Sequence, residues 1–237
     1  MPTNRPFNSY SLTHGLLADR GSYEFPTQLW GWNDEALSLP ATGTHFGYVH
    51  QGGLVILDTP DRGFFVLKPG MYFSLPSAGT LLGDGQGIVV TRLGYQGVFS
   101  IGGPIEPNGR LRYIDGCRDS LLISPVMMGD PCLNALYFPS GINQTPHTHP
   151  SMRVGMVVSG RGECITPDEV IPLEPGQVFV IPANGLHSFR TEDSAMLVVA
   201  WHPDSDCGPT HESHPMLNRT WVNGVSAMQL EEIKTRA

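Results

Sequence analysis

LKPGMYFSLPSAG (67–79) and LEPGQVFVIPANG (173–185) share six residues in register. Leu67, Pro69, Gly70, Phe73, Pro76 and Gly79 fall on Leu173, Pro175, Gly176, Phe179, Pro182 and Gly185 at a constant offset of 106. Upstream, GYVHQG (47–52) falls on GMVVSG (155–160) at an offset of 108, a loop difference of two residues. Self-similarity of this kind marks a duplicated structural unit. The chain therefore reads as two similar units of roughly a hundred residues, an ordinary domain size.

Each copy runs strand, tight turn, strand, Pro-Gly, strand, PxxG, strand. From about residue 43 the text consists of short β-branched and aromatic runs, each closed by Gly, Pro or Asp. In RVGMVVSG (153–160), Val154, Met156 and Val158 alternate with Arg153, Gly155 and Val157, which suits a sheet with two different faces. The expectation is an all-β chain of two tandem jelly-roll β-barrels, which close most strand edges and leave an interior lined by every second side chain. The boundaries read as an irregular N-terminal arm (1–40), a first barrel (41–105), a second barrel (106–207) and a polar tail (208–237). The tail should end in one short helix over 225–236, where Ser226 and Gln229 have capping-box spacing.

Composition supports many short strands. The 237 residues include 28 Gly and 21 Pro, so turn formers interrupt the chain too often for long helices. Lys and Arg total 14 against 22 Asp and Glu, a net charge of -8, which argues against nucleic acid as partner because phosphate binding needs a basic patch. No apolar run reaches the roughly 20 residues a spanning helix needs. The N-terminal stretch also lacks the apolar core of a secretory signal. The expectation is a soluble, cytoplasmic protein without membrane contact. Cys117, Cys132, Cys164 and Cys207 form no CxxC pair and read as reduced thiols.

The chemistry sits in the second copy, in GINQTPHTHPSMR (141–153) and in His187, two residues past Gly185. Side chains two apart on an extended strand point the same way, so His147 and His149 face one side together. His187 joins them from another strand. Three neutral imidazoles suit a first-row divalent metal and leave coordination positions for water, oxygen or substrate.

The pattern G-x5-H-x-H, then Gly160, then P-G-x5-P-x-x-G-x-H resembles the cupin superfamily in its two-domain, bicupin form, over roughly residues 40–205. The resemblance implies that His147, His149 and His187 bind one divalent transition metal, Fe(II) favoured, with Zn, Mn, Ni or Cu also accommodated. Two departures matter. Many cupins carry a metal-binding Glu after the second His, whereas this chain has Met152 and Arg153 there. Arginine has no lone pair to give, so the metal would keep its full charge. Arg153 would then help to hold a small anionic molecule, a carboxylate or an enolate. The alternative for Arg153 is a structural ion pair at the barrel mouth, for which Glu163 on the following strand is a candidate partner. In the first copy, the repeat register places Leu39, Ala41 and Leu81 where His147, His149 and His187 stand, with His45 at the Arg153 position. The N-terminal barrel is therefore expected to be metal-free.

His202 could line the pocket or act structurally, and the structural role is the expected one. Gln144 could orient an imidazole, His50 reads as an ordinary barrel polar residue, and His211 and His214 read as solvated tail. By resemblance, the function is a three-histidine non-haem Fe(II)-type dioxygenase on a small anionic molecule, with Arg153 as the residue acting on substrate. The alternatives are a non-redox isomerase, cyclase or lyase, and a binding cupin without turnover. Cupins are commonly homodimers, and the resemblance leaves that assembly open here.

Overall fold

The computed structural model describes residues 5–235, so the expected arm and tail extend beyond it by residues 1–4 and 236–237. In chain order, β1 (Asn8–Tyr10) comes first and the N-terminal lobe follows with β2 (Gly15–Arg20), β3 (Thr27–Asn33), β4 (Leu37–Leu39), β5 (Gly43–Thr59), β6 (Gly63–Leu67), β7 (Tyr72–Leu75), β8 (Gly79–Leu93) and β9 (Ser100–Gly102). The C-terminal lobe follows with β10 (Leu111–Arg112), β11 (Arg118–Ile123), β12 (Cys132–Phe138), β13 (Arg153–Gly160) and β14 (Gly162–Ile165). It closes with β15 (Val170–Leu173), β16 (Val178–Ile181), β17 (Ser188–Arg190) and β18 (Met196–His202). The chain is all-β, as its strand-and-turn texture requires. No helix among the described residues is long and apolar enough to cross a membrane.

The sheet order β2-β3-β8-β5-β7-β9 builds the first lobe. The second lobe has a seven-stranded sheet, β1-β16-β13-β18-β12-β11-β10, facing a three-stranded one, β15-β14-β17. The repeat is visible in the pairing. Gly47 lies opposite Phe73 on β5 and β7, and Gly155 lies opposite Phe179 on β13 and β16. A Cβ on Gly47 would sit 2.1 Å from the Phe73 ring, and one on Gly155 would sit 2.2 Å from the Phe179 ring. Both copies thus lay an aromatic ring across a glycine, which no residue with a side chain permits. Gly70 and Gly176, at φ 85° and 84°, turn the chain in the left-handed region just before these aromatics.

The alternation along β13 decides which residues meet. Val154 and Met156 point into a core between the lobes, with Val178, Val180, Val199 and Trp201, against Leu29, Phe46, Tyr48, Ile88 and Val90 of the first lobe. The Phe46 and Trp201 rings lie 5.8 Å apart there. Each such buried side chain contributes about 1.5–3 kcal/mol, so parting the lobes is costly. Gly155 and Val157 lie on the opposite face, toward the interior of the second lobe.

Two expectations change. The stretch read as irregular, 1–40, contains four strands, β1 to β4. Three of them have remote partners: Asn8 (β1) pairs with Val180, Thr27 (β3) with Arg92 and Leu39 (β4) with Gly79, while β2 adds to the edge of its neighbour β3. Strands fixed by distant partners need no local period. The helix expected over 225–236 is instead two 3-10 turns, Ala227–Gln229 and Glu231–Ile233. Ser226 does cap, accepting from the Met228 N–H at 3.3 Å. The turn does not propagate because Leu230, at φ -107° and ψ 88°, leaves helical space, and so short a helix has little to offset its nucleation cost. Among the described residues the one α-helix, α1 (Pro215–Asn218), lies earlier in the tail and is capped by His214 Nδ1, which accepts from the Met216 N–H at 3.1 Å.

Candidate metal centre

His147 and His187 face each other across a two-way backbone pair: the His147 N–H donates to the His187 carbonyl at 2.9 Å and the His187 N–H returns to the His147 carbonyl at 3.1 Å. His149 lies two residues along the same extended segment, and its carbonyl accepts from the Asn184 N–H at 2.7 Å. This stitching brings the three rings together, with centroids 5.0 Å (His147–His149), 4.6 Å (His147–His187) and 5.3 Å (His149–His187) apart. One nitrogen from each ring lies within 4.8 Å of the other two.

The tautomers follow from the neighbours. His147 Nδ1 lies 2.8 Å from the Thr145 carbonyl, and His187 Nδ1 lies 2.9 Å from the Gly185 carbonyl. A carbonyl only accepts, so Nδ1 carries the proton in each ring and Nε2 keeps its lone pair. Burial, together with the nearby Arg153 and histidine charges, lowers His149 to about 3. Burial lowers His187 to about 4, against the raising effect of its Gly185 contact. Near neutral pH both are the uncharged ligand form, so the donor set fits a divalent transition ion.

The histidines open onto a cavity of about 460 Å³. Its apolar wall includes Leu136, Phe138, Phe179, Ile181, Phe189 and Val198. Arg153 lines it from β13. Arg153 Nη1 donates to Ser151 Oγ at 2.6 Å and lies 3.8 Å from Asp204 Oδ1, while Ser151 Oγ donates to the same carboxylate oxygen. Burial lowers the Arg153 pKa, and Asp204 acts against that. Arg153 does form an ion pair, but with Asp204 and not with Glu163. Glu163 is bound instead by Arg190, whose Nε donates at 2.8 Å, because β14 and β17 place these two opposite each other.

His202 is a cavity residue as well as a structural one, which the sequence reading did not favour. Its Nδ1–H donates to the Asp204 carbonyl and its Nε2 lies 2.8 Å from Cys132 Sγ. Burial and Arg153 lower it to about 4. Gln144 orients no imidazole. It is buried and ties β17 to the loop, its Oε1 accepting from the Phe189 N–H at 3.2 Å. Backbone carbonyls orient the imidazoles instead. His211 and His214 are exposed. Asp119 and Asn134 also line the cavity and had no signal in the sequence. They sit on separate strands with ordinary spacing, and only the β11–β12 pairing joins them.

The first lobe differs at the matching positions. His45 lies opposite Leu75 as Arg153 lies opposite Ile181, so that equivalence holds. Leu39 pairs with Gly79 where His147 pairs with His187, so Gly79, and not Leu81, stands in the place of His187. A second two-residue shift, opposite in sense to the one between residues 52 and 67, falls between Leu75 and Gly79, where the matching Pro76 and Pro182 and Gly79 and Gly185 mask it in the sequence. A Cβ at Gly79 would meet Leu75 Cδ2 at 2.7 Å. The surrounding interior is packed with Trp32, Leu37, Leu39, Leu57, Leu67 and Leu81. His45 is wholly buried, with Nδ1 2.8 Å from Thr91 Oγ1 and Nε2 2.8 Å from the Pro40 carbonyl.

A family model described as "Cupin domain" matches residues 136–203. No curated protein sequence matches the chain. Among solved structures, salicylate 1,2-dioxygenase from Pseudaminobacter salicylatoxidans superposes with a TM-score of 0.62 at 11% identity, covering 86% of this chain and 85% of that one. A cupin 2 conserved barrel domain protein from Leptotrichia buccalis gives 0.55 at 14%, covering 84% and 89%. A putative glyoxylate-induced protein from Pseudomonas aeruginosa gives 0.60 at 15%, covering 87% and 83%. Likeness at these identities is a likeness of fold. Taken with the matched segment, it makes the C-terminal lobe a cupin domain on a chain with the cupin fold.

Proposed function

We propose that the C-terminal lobe holds one divalent transition metal on His147, His149 and His187 and acts on a small anionic organic molecule, as a non-haem Fe(II)-type dioxygenase. The observation that carries this reading is the convergence of three imidazoles, two with Nε2 freed by backbone carbonyls, on a largely apolar cavity that also contains a buried arginine. Three neutral ligands leave the charge of the ion uncompensated, and when bound it supplies Lewis acidity and, as iron, a redox couple for oxygen. Arg153 keeps its charge and offers the cavity a second cationic contact, so a carboxylate or enolate is held from two sides. Nη1 of Arg153 is fixed by Ser151 and Asp204, which aims the guanidinium. The aromatic wall excludes water and strengthens these contacts. The N-terminal lobe, β2 to β9, serves as a packing partner without metal.

A second reading is a non-redox isomerase, cyclase or lyase. One observation favours it: His202 and Asp119 both line the cavity and could carry protons. The experiment is anaerobic loading with Fe(II), elemental analysis, and oxygen uptake with a panel of small carboxylates and 1,3-dicarbonyls. Metal near one equivalent with substrate-dependent uptake supports the dioxygenase. Metal binding with conversion but no uptake selects the second reading, and ligand binding without conversion selects a sensor. Arg153→Leu should keep the metal and weaken anion binding about 10-fold or more.

A further inference from the structure

The duplication gives each lobe the same outer sheet face, and the two faces carry opposite chemistry. In the C-terminal lobe β14, β15 and β17 set Glu163 between Pro172 and Arg190, and Glu163 and Arg190 form a half-exposed ion pair. In the N-terminal lobe β5, β6 and β8 set Ile56 between Val66 and Leu82 at the matching positions. The alternate residues Leu57, Leu67 and Leu81 fill the interior, so Ile56, Val66 and Leu82 face outward. The apolar set continues on that face with Leu54 and Phe64, which are 54% and 72% exposed. Where one lobe has a charged, solvated face, the other has an apolar one.

The sheet edge differs in the same sense. Strand β6 is bonded to β5 alone, and its residues, Gly63–Leu67, include no charge and no proline. Its counterpart β15 is also an edge, but it has Pro172 where β6 has Val66, and Glu169 stands where β6 begins with Gly63. Proline has no N–H, so β15 cannot offer a full row of donors to another strand, whereas β6 can. The ends of β6 bear unlike charges. Asp61 precedes it and Lys68 follows it; both are exposed, and neither has an ion-pair partner among the described residues. Arg62 is turned back onto its own lobe: Nη1 donates to Ser77 Oγ at 3.0 Å, and the guanidinium lies 5.1 Å over the Phe99 ring.

We propose that this face is where two copies of the chain associate, their β6 edges pairing antiparallel across a two-fold axis. An apolar strip with opposite charges at its two ends complements a second copy of itself when that copy is reversed. The reversal brings the Lys68 end of each strand to the Asp61 end of the other, joins the two rows of free backbone groups, and sets Phe64 and Val66 of both copies side by side. A two-fold contact of this kind is self-complementary and closes at the dimer. Five apolar side chains supply a few hundred Å² per copy. With the strand backbone and the flanking charges, the interface approaches the roughly 1,200 Å² at the lower end of stable ones. The dimer is therefore reversible, with a Kd of about 1–50 µM. It needs nothing from the cavity or the three histidines.

The test is sedimentation equilibrium of the full, zinc-loaded chain at concentrations from well below to well above that Kd, where wild type should pass from monomer to dimer. Phe64→Glu, and separately Val66→Pro, which copies the proline of β15, should each weaken the dimer about 10-fold or more with zinc stoichiometry and urea midpoint unchanged. Val170→Glu, the matching change to Phe64→Glu on β15, should leave the dimer as it is. Lys68→Glu should weaken it about 3- to 10-fold, and adding Asp61→Lys should restore it. A chain that stays monomeric at every concentration overturns the proposal. A dimer indifferent to both β6 variants, or weakened equally by Val170→Glu, also overturns it, since the contact then lies elsewhere. Should either β6 variant lower the urea midpoint, the exposed charges decide. No loss with Lys68→Glu, or a loss that Asp61→Lys does not reverse, overturns the antiparallel pairing, and restoration by the double reversal supports it.

Discussion

The two lobes solve the same folding problem and differ in what they put inside. Both lay a phenylalanine over a glycine, both turn on a left-handed Gly, and both pair the same strands. In the N-terminal lobe Leu39, Leu57, Leu67 and Leu81 fill the interior and are almost wholly buried. In the C-terminal lobe the matching space is a cavity of about 460 Å³ with histidines and an arginine on its wall. The difference comes from a few positions. His147 replaces Leu39, His187 replaces Gly79, and Arg153 replaces His45. A fold kept by backbone geometry and an outer core tolerates opposite interiors, which separates the residues that make the barrel from those that make the site.

The largest test of this contrast is metal content. His187→Ala should reduce bound zinc from about one equivalent to below about a tenth in elemental analysis, because two imidazoles alone hold a divalent ion weakly. His45→Ala should leave stoichiometry unchanged. Equal losses from both substitutions would abolish the distinction between the lobes.

Acid should separate them next. His149 at about 3, and His187 and His202 at about 4, lie well below the ordinary value of 6.5. The folded, metal-free chain therefore resists protons that the unfolded chain accepts. Stability from these groups is full above about pH 6.5 and is lost as pH falls toward 4, by up to about 4 kcal/mol per pH unit if all three protons are taken up together. Denaturant titrations of chelator-treated protein at pH 7, 6 and 5 should show this fall, and zinc should reduce it. A flat profile would mean that the rings are not desolvated.

A smaller effect comes from deleting equal volume in each lobe. Leu57→Ala empties space in a filled interior and should cost about 2–5 kcal/mol in urea unfolding. Leu136→Ala only enlarges an existing cavity and should cost about 1 kcal/mol. The smallest concerns Thr91, which by strand register occupies in the first lobe the place His202 has in the second. Thr91→Val removes one hydrogen bond to His45 and should lower stability by about 1 kcal/mol without changing metal or ligand binding.

Much of this contrast was legible in the sequence because it rests on short-range signals. Leu-x-Pro-Gly-x-x-Phe carries the turn and the ring-over-glycine packing. His-x-His and the His after Gly185 are spaced so that strand alternation alone brings two of them to one side. What stayed hidden depends on partners far along the chain. The cavity residues Asp119, Asn134 and His202 are drawn from three strands and have no common spacing. Arg153 was legible as a cavity residue, but its partner Asp204 lies beyond β18, where no repeat points. The register shift that puts Gly79 in the place of His187 hides behind a matching Pro and Gly. Strands β1, β3 and β4 carry no sustained alternation and take partners far along the chain, and β2 in turn lies on the edge of β3.

The pairing of β1 with β16 has a consequence for synthesis. Residues Asn8–Tyr10 complete the C-terminal sheet, and Phe7 stacks on Phe179 at 5.1 Å inside that lobe. Strand β1 leaves the ribosome well before β16 and must therefore wait, unpaired, until some 170 further residues have been made. The segment that follows it can already fold into the N-terminal lobe. A cut between the lobes would consequently not yield two self-sufficient pieces. The C-terminal fragment would present the bare edge of β16 and an uncovered Phe179, a surface prone to self-association.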